Sequence, residues 1–199
     1  MPSGSYAVLD SDGNPVGTED FRCAPGLAGW RFVSEIRTTV PGPHAERVDL
    51  VVDASWLPIR VAIATGEHAI ELERQGAAFV GVRDGEPIEV AARPDVDYLS
   101  PAFNAVTANR LGATADIEVV YLEALTCEPR FEPQRYELLG DEEVGTAVGV
   151  FAARRWRYTA LSSGWTRELW VAGDVVVRYE GLFELTAYEP GASGPRPRP

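Results

Sequence analysis

The chain contains no lysine; all eighteen basic residues are arginine. Schiff-base catalysis and a phosphate-binding P-loop lysine are therefore excluded. Only two cysteines occur, Cys23 and Cys127, and they belong to no metal or redox motif. Cysteines of this kind read as buried free thiols. The two histidines, His44 in a Pro-Gly-Pro-His turn and His68 before a strand, have no second ligand at metal spacing, so no metal site is assigned. No Gly-x-Ser-x-Gly elbow is present and neither histidine lies near a serine or cysteine, so no catalytic residue is assigned. No run reaches the roughly 18 apolar residues of a membrane span. The N-terminus lacks a basic region, an apolar region and a lipobox cysteine, which gives the expectation of a cytoplasmic protein. Helical periodicity is nearly missing as well.

What is present is acid, alternation and turns. The formal charge is −12 and the sequence pI is about 4.6. Such a chain repels phosphate backbones and anionic membrane surfaces, so neither is expected as a partner. Its 199 residues suit one domain with a sizeable core. Period-2 alternation runs through Ala69–Arg74 and Trp156–Ala160, and β-branched or aromatic residues crowd Asp116–Leu122 and Asp174–Tyr179. Turn signals separate these runs, among them Asp12-Gly13-Asn14, Ser163-Gly164 and Ala172-Gly173-Asp174. Asp84-Gly85 between two alternating runs predicts a tight hairpin. These features predict an all-β fold of ten or more strands with one short helix. Residues 1–188 read as one domain, and the Pro, Gly and Arg-rich residues 189–199 as a disordered tail.

One polar stretch interrupts the pattern. In Arg93–Leu111, Asp95 and Asp97 alternate with Val96 and Tyr98, which puts both carboxylates on one strand face. Ser100-Pro101 then reads as a helix start, Ser at the N-cap and Pro at the first helical position. Asn104 and Arg110 fall within or just after that helix. The two carboxylates have three readings: pairing with Arg110 or the helix start, binding of a polar head group, and acid–base catalysis. Carboxylates that share a face point the same way, whereas those that cleave a sugar bond usually flank it.

The same stretch resembles the putative glycolipid-binding family, whose pattern is an Asp-x-Asp strand, a Pro, an Asn and then Arg-Leu. The matching positions are Asp95, Asp97, Pro101, Asn104, Arg110 and Leu111. Asp53…Trp56…Arg60, Gln134-Arg135-Tyr136 and Tyr179-Glu180-Gly181-Leu182-Phe183 match further family segments, so the resemblance covers most of residues 20–188. Phe103, Thr107, Asn109 and Glu180 depart from the family pattern. The resemblance implies bacterial proteins whose long antiparallel sheet is rolled into an open barrel, or spiral β-roll, like lipoprotein carriers. It also implies a lipid-like ligand.

A weak internal repeat suggests two duplicated halves: Trp30-Arg-Phe32 resembles Trp156-Arg-Tyr158, and Val51–Arg60 resembles Leu169–Arg178. Arg60 and Arg178 end apolar strands at matched positions. If either faced the interior it would need a carboxylate or an anionic ligand. The aromatics, Trp56, Tyr158 and Tyr179 among them, either line an apolar cavity or fill it. The leading expectation is a non-catalytic binding protein for an amphipathic lipid or glycolipid-like molecule, with no cofactor. Its acyl chain would lie inside the rolled sheet, and Asp95, Asp97, Asn104 and Arg110 would meet the head at the mouth. Trp56, Tyr158, Tyr179, Arg60 and Arg178 complete the candidate ligand set. The alternatives are a packed protein that self-associates into homo-oligomers, and a small-molecule enzyme using Asp97 as base and Arg110 as anion clamp.

Overall fold

Alternating β-branched and aromatic residues, cut every few positions by glycine-bearing turns, produce strand after strand. The computed structural model describes residues 1–26, 28–192 and 194–198. The first eight strands are β1 (Ser3–Leu9), β2 (Pro15–Gly26), β3 (Gly29–Thr38), β4 (His44–Asp53), β5 (Pro58–Ala64), β6 (Ala69–Gln75), β7 (Ala78–Arg83) and β8 (Glu86–Ala91). A short β9 (Asp95–Asp97) leads into the helix α1 (Pro101–Leu111). Then come β10 (Ala115–Leu122), β11 (Pro129–Thr146), β12 (Gly149–Ala160), β13 (Trp165–Ala172), β14 (Val175–Tyr179) and β15 (Phe183–Glu189).

All fifteen strands join in one sheet of order 8-7-6-5-4-3-2-1-15-14-13-12-11-10-9. Strands β1 and β15 pair at its centre, so the two chain ends meet there and two arms run outward. The ladder stays open between β8 and β9. Every neighbouring pair is antiparallel except β9 with β10, which run parallel from Asp95↔Val119 to Asp97↔Tyr121. A parallel pair needs a crossover, and α1 supplies it. The expected hairpin is present: Arg83 pairs with Glu86, and both Asp84 (φ 53°) and Gly85 (φ 83°) take the left-handed conformation such a two-residue turn requires.

Helix α1 begins where Ser100-Pro101 predicts, with Ser100 extended (φ −151°, ψ 139°), and ends at Gly112 (φ 64°), whose N–H reaches the Ala108 carbonyl. Ser100 leaves the helix uncapped by its side chain; its hydroxyl instead donates to Glu19 Oε1 on β2 at 2.6 Å. The helix separates two hydrophobic cores. Ala105 and Ala108 join the core of the β11–β15 arm, around Trp156, Leu169 and Phe183. Phe103 and Val106 join the core of the β3–β7 arm, around Leu50, Ile63 and Phe79. Phe103 through Ala108 are all buried, which explains why the segment shows so little amphipathic periodicity.

The repeat motifs do not share environments. Trp156 is fully buried, whereas Trp30 is half-buried and stacks on Trp56 at 4.0 Å between ring centroids. Near the C-terminus, Arg198 exchanges backbone hydrogen bonds of 2.8 Å with Val150, an isolated bridge beside the start of β12.

Candidate functional site

Strand β9 is buried at all three positions because it lies under α1 on one side and against β10 on the other. Its two carboxylates meet different partners. Asp95, with no exposed surface, holds Arg110 in a two-point contact; Arg110 Nε lies 2.6 Å from Oδ1 and Nη2 bonds Oδ2. Burial raises the Asp95 pKa, and the Arg110 bond opposes that rise. Asp97 has no cation within ion-pair reach among the described residues. Gln134 Nε2 donates to its Oδ2 at 2.6 Å and Asn104 Nδ2 to its Oδ1 at 3.4 Å. Burial pushes the Asp97 carboxyl up to about 6 against the Gln134 bond, with Asp95 and Glu132 adding to the rise.

Asp97 sits in the wall of a cavity of about 290 Å³. Tyr98, Asn104, Glu132, Tyr158, Tyr179 and Phe183 form its buried lining. Leu99, Ser162, Ser163, Trp165 and Leu182 stand at its more accessible side. Arg130 also lines it, but its guanidinium is committed. It bonds Glu132, lies 3.3 Å from Glu123 Oε2 and covers the Tyr121 ring at 4.4 Å. Glu132 accepts a further bond from Ser162. Burial would raise its pKa, yet the Ser162 and Arg130 bonds prevail and hold it below the ordinary value. Among the described residues no three His, Cys, Asp or Glu side chains converge as a metal-ligand set.

The cavity therefore unites Asp97, Asn104, Tyr158 and Tyr179 of the sequence-derived candidates. Asp95 and Arg110 pair behind it and do not line it. The rest of the set lies elsewhere. Arg60 is exposed, 3.7 Å from Asp49. Arg178 donates to the Gly145 carbonyl at 2.8 Å, and Trp56 packs on Trp30. The carboxylates also sit deeper than a mouth position implies, because β9 is covered on both sides. Tyr121 and Glu132 are site neighbours that no motif singled out, and Gln134, noted only within a family-like segment, bonds Asp97 without lining the cavity. One signal was available: Glu132, Gln134 and Tyr136 alternate inward while Phe131, Pro133 and Arg135 face solvent. The period is that of a strand, but the polarity is inverted.

The family model described as putative glycolipid-binding matches residues 11–184. The chain belongs to that family. Among solved structures, it is similar to a DUF1089 family protein from Pseudomonas aeruginosa. The two are 23% identical over 86% of this chain and 92% of that one, with a TM-score of 0.64. A beta-barrel-like protein of the domain of unknown function DUF1849 from Brucella abortus is 10% identical, over 94% and 96% of the two chains, with a TM-score of 0.55. Both likenesses show the fold. No curated protein matches the chain.

Within this glycolipid-binding family member, the departures from the family pattern stay clear of the cavity. Phe103 fills the β3–β7 core, and Thr107 is buried and supports Asp95. Asn109 donates to the Ala105 and Gly173 carbonyls and accepts from Arg154. Glu180 accepts the Glu168 N–H at 3.2 Å. No helix among the described residues is long and apolar enough to cross a membrane.

Proposed function

We propose that the chain is a non-catalytic binding protein for a small amphipathic molecule of lipid or glycolipid type, held in the cavity between β9, α1 and the β10–β15 arm. One observation carries this reading. A cavity of about 290 Å³ combines aromatic walls, Tyr158, Tyr179, Trp165 and Phe183, with a buried carboxylate that no cation among the described residues pairs with. Ligand sites are mostly apolar and fixed by few polar groups, and their volumes run from about 300 Å³ upward, so this cavity takes a small ligand or one part of a larger one. The family description agrees with such a role.

The enzymatic reading has one observation in its favour, the Asp97 carboxyl raised to about 6 inside a cavity. It lacks a second free group that ionises near neutral pH, since burial raises the Tyr121, Tyr158 and Tyr179 phenols. Arg110 is held by Asp95, and Glu132 by Arg130 and Ser162. Native mass spectrometry of the protein after incubation with mixed bacterial lipids tests the binding reading. A stoichiometric adduct that Tyr158→Ala abolishes is the expected result. A clean unliganded mass for both proteins would leave a packed, self-associating protein as the better account.

A further inference from the structure

We propose that this cavity takes the polar head of its ligand inward, that the head carries hydrogen-bond donors and no negative charge, and that the apolar portion leaves across Leu99, Trp165 and Leu182. The proposal rests on the binding reading above and fixes the orientation and chemistry that reading leaves open.

Polarity across the cavity runs opposite to that of a simple lipid pouch. Its buried wall holds Asp97, Asn104 and Glu132. Leu99 stands at the accessible side and is 45% exposed, with Trp165 and Leu182 partly exposed beside it. An alkyl chain directed inward would strip water from these polar groups and return no bonds, a costly exchange. The two hydrophobic cores behind them are already filled by side chains such as Trp156, Tyr136 and Phe103.

The sign and type of the head follow from the hydrogen-bond inventory. Asp97 fixes the orientation of both amides, since an ionised carboxylate accepts only. Asn104 and Gln134 turn their NH₂ groups to it, which leaves Asn104 Oδ1 and Gln134 Oε1 buried without partners. Of the two amides Asn104 lines the cavity, so the unpaired amide atom presented there is an acceptor beside a carboxylate, while the cation in the lining, Arg130, is ion-paired with Glu132 and Glu123. No hydrogen bond is made by the hydroxyls of Tyr121, Tyr158 or Tyr179 among the described residues, and these rotate to donate or accept. An anionic head would face Asp97 and Glu132 while Arg130 stays bound to Glu132 and Glu123. Hydroxyl and ammonium heads both supply the missing donors, and the aromatic walls suit either.

Isothermal titration calorimetry on the full chain with three single-chain probes below their micelle concentrations tests this: octyl β-glucoside, octylammonium and octanoate. Either or both of the first two should bind at least about ten-fold more tightly than octanoate, because juxtaposed like charges are heavily penalised. Equal or tighter binding of octanoate would overturn the proposal. Failure of all three probes would instead overturn the amphiphile-binding reading, and this inference with it. Asp97→Asn separates the two head types. An ammonium probe should weaken about ten-fold, whereas a hydroxyl probe changes less than about three-fold. If octanoate remains excluded to the same degree in Asp97→Asn, the head does not lie against Asp97 and the orientation is wrong. Trp165→Ala should weaken the bound probes alike, and a reversed head-group ranking in that variant would also overturn the orientation.

Discussion

Replacing Arg110 with methionine isolates what the β9–α1 pairing contributes. Asp95 is completely buried, and Arg110 is its two-point partner, with a guanidinium side chain about one-fifth exposed (21%). Breaking a buried pair by removing one member costs about 3–5 kcal/mol, because the remaining charge stays buried and unpaired. Thr107 still supports Asp95, and the Arg74 charge still acts on it, so the lower end applies, about 3 kcal/mol. Urea unfolding followed by tryptophan fluorescence reads this as a lower midpoint at an unchanged slope. The loss should depend on pH. Without Arg110 the Asp95 carboxyl rises further above its unfolded value. A carboxyl whose folded pKa is raised favours folding when protonated and opposes it as pH climbs through the two values. The variant should therefore fall further behind the parent at pH 7.5 than at pH 5. Pairing Arg110→Met with Asp95→Leu should recover most of the loss. A single-variant loss below about 1 kcal/mol, or one that grows on acidification, would refute the assignment of Asp95 as a buried ion held by Arg110.

Glu19 gives a second pH prediction. Burial raises its carboxyl to about 7, although Ser100 donates a hydrogen bond to it. Its folded value lies above its unfolded one, so it should remove roughly 2 kcal/mol of stability between pH 5 and pH 8. Glu19→Gln should flatten that part of the stability–pH curve, and an unchanged slope would show the group to be solvated. Gly4 sits at the seam between the arms, where an added Cβ would lie 2.3 Å from the Ala187 carbonyl oxygen. Gly4→Ala should therefore cost about 2 kcal/mol or more by thermal melt, whereas Gly145→Ala, with open space around it, should stay within about 0.5 kcal/mol.

Local chemistry settled a good deal of this molecule. The strands appear where β-branched and aromatic residues alternate, the Asp84-Gly85 hairpin appears where two left-handed residues are needed, and α1 starts at Ser100-Pro101. Asp97, Asn104, Tyr158 and Tyr179 were readable as site candidates because a polar stretch and strand-borne aromatics stand out against an alternating background. Glu132 was not, and Gln134 stood out only as part of a family-like segment with no role assigned. Inward-facing polar residues carry the same period as outward ones, and only knowledge of which face is the interior distinguishes them. Arg60 and Arg178 failed as interior candidates for the same reason.

By itself, then, the sequence determined an all-β chain with one helix and an acidic surface, since propensity, turn geometry and charge are local or summed properties. Tertiary structure alone decided that β1 meets β15, that β9 lies parallel to β10, and that α1 divides two cores. Those arrangements pair residues far apart in the chain. It also decided which of two neighbouring aspartates keeps an arginine and which is left with amides at a cavity wall, because that choice depends on where the helix crosses the strand.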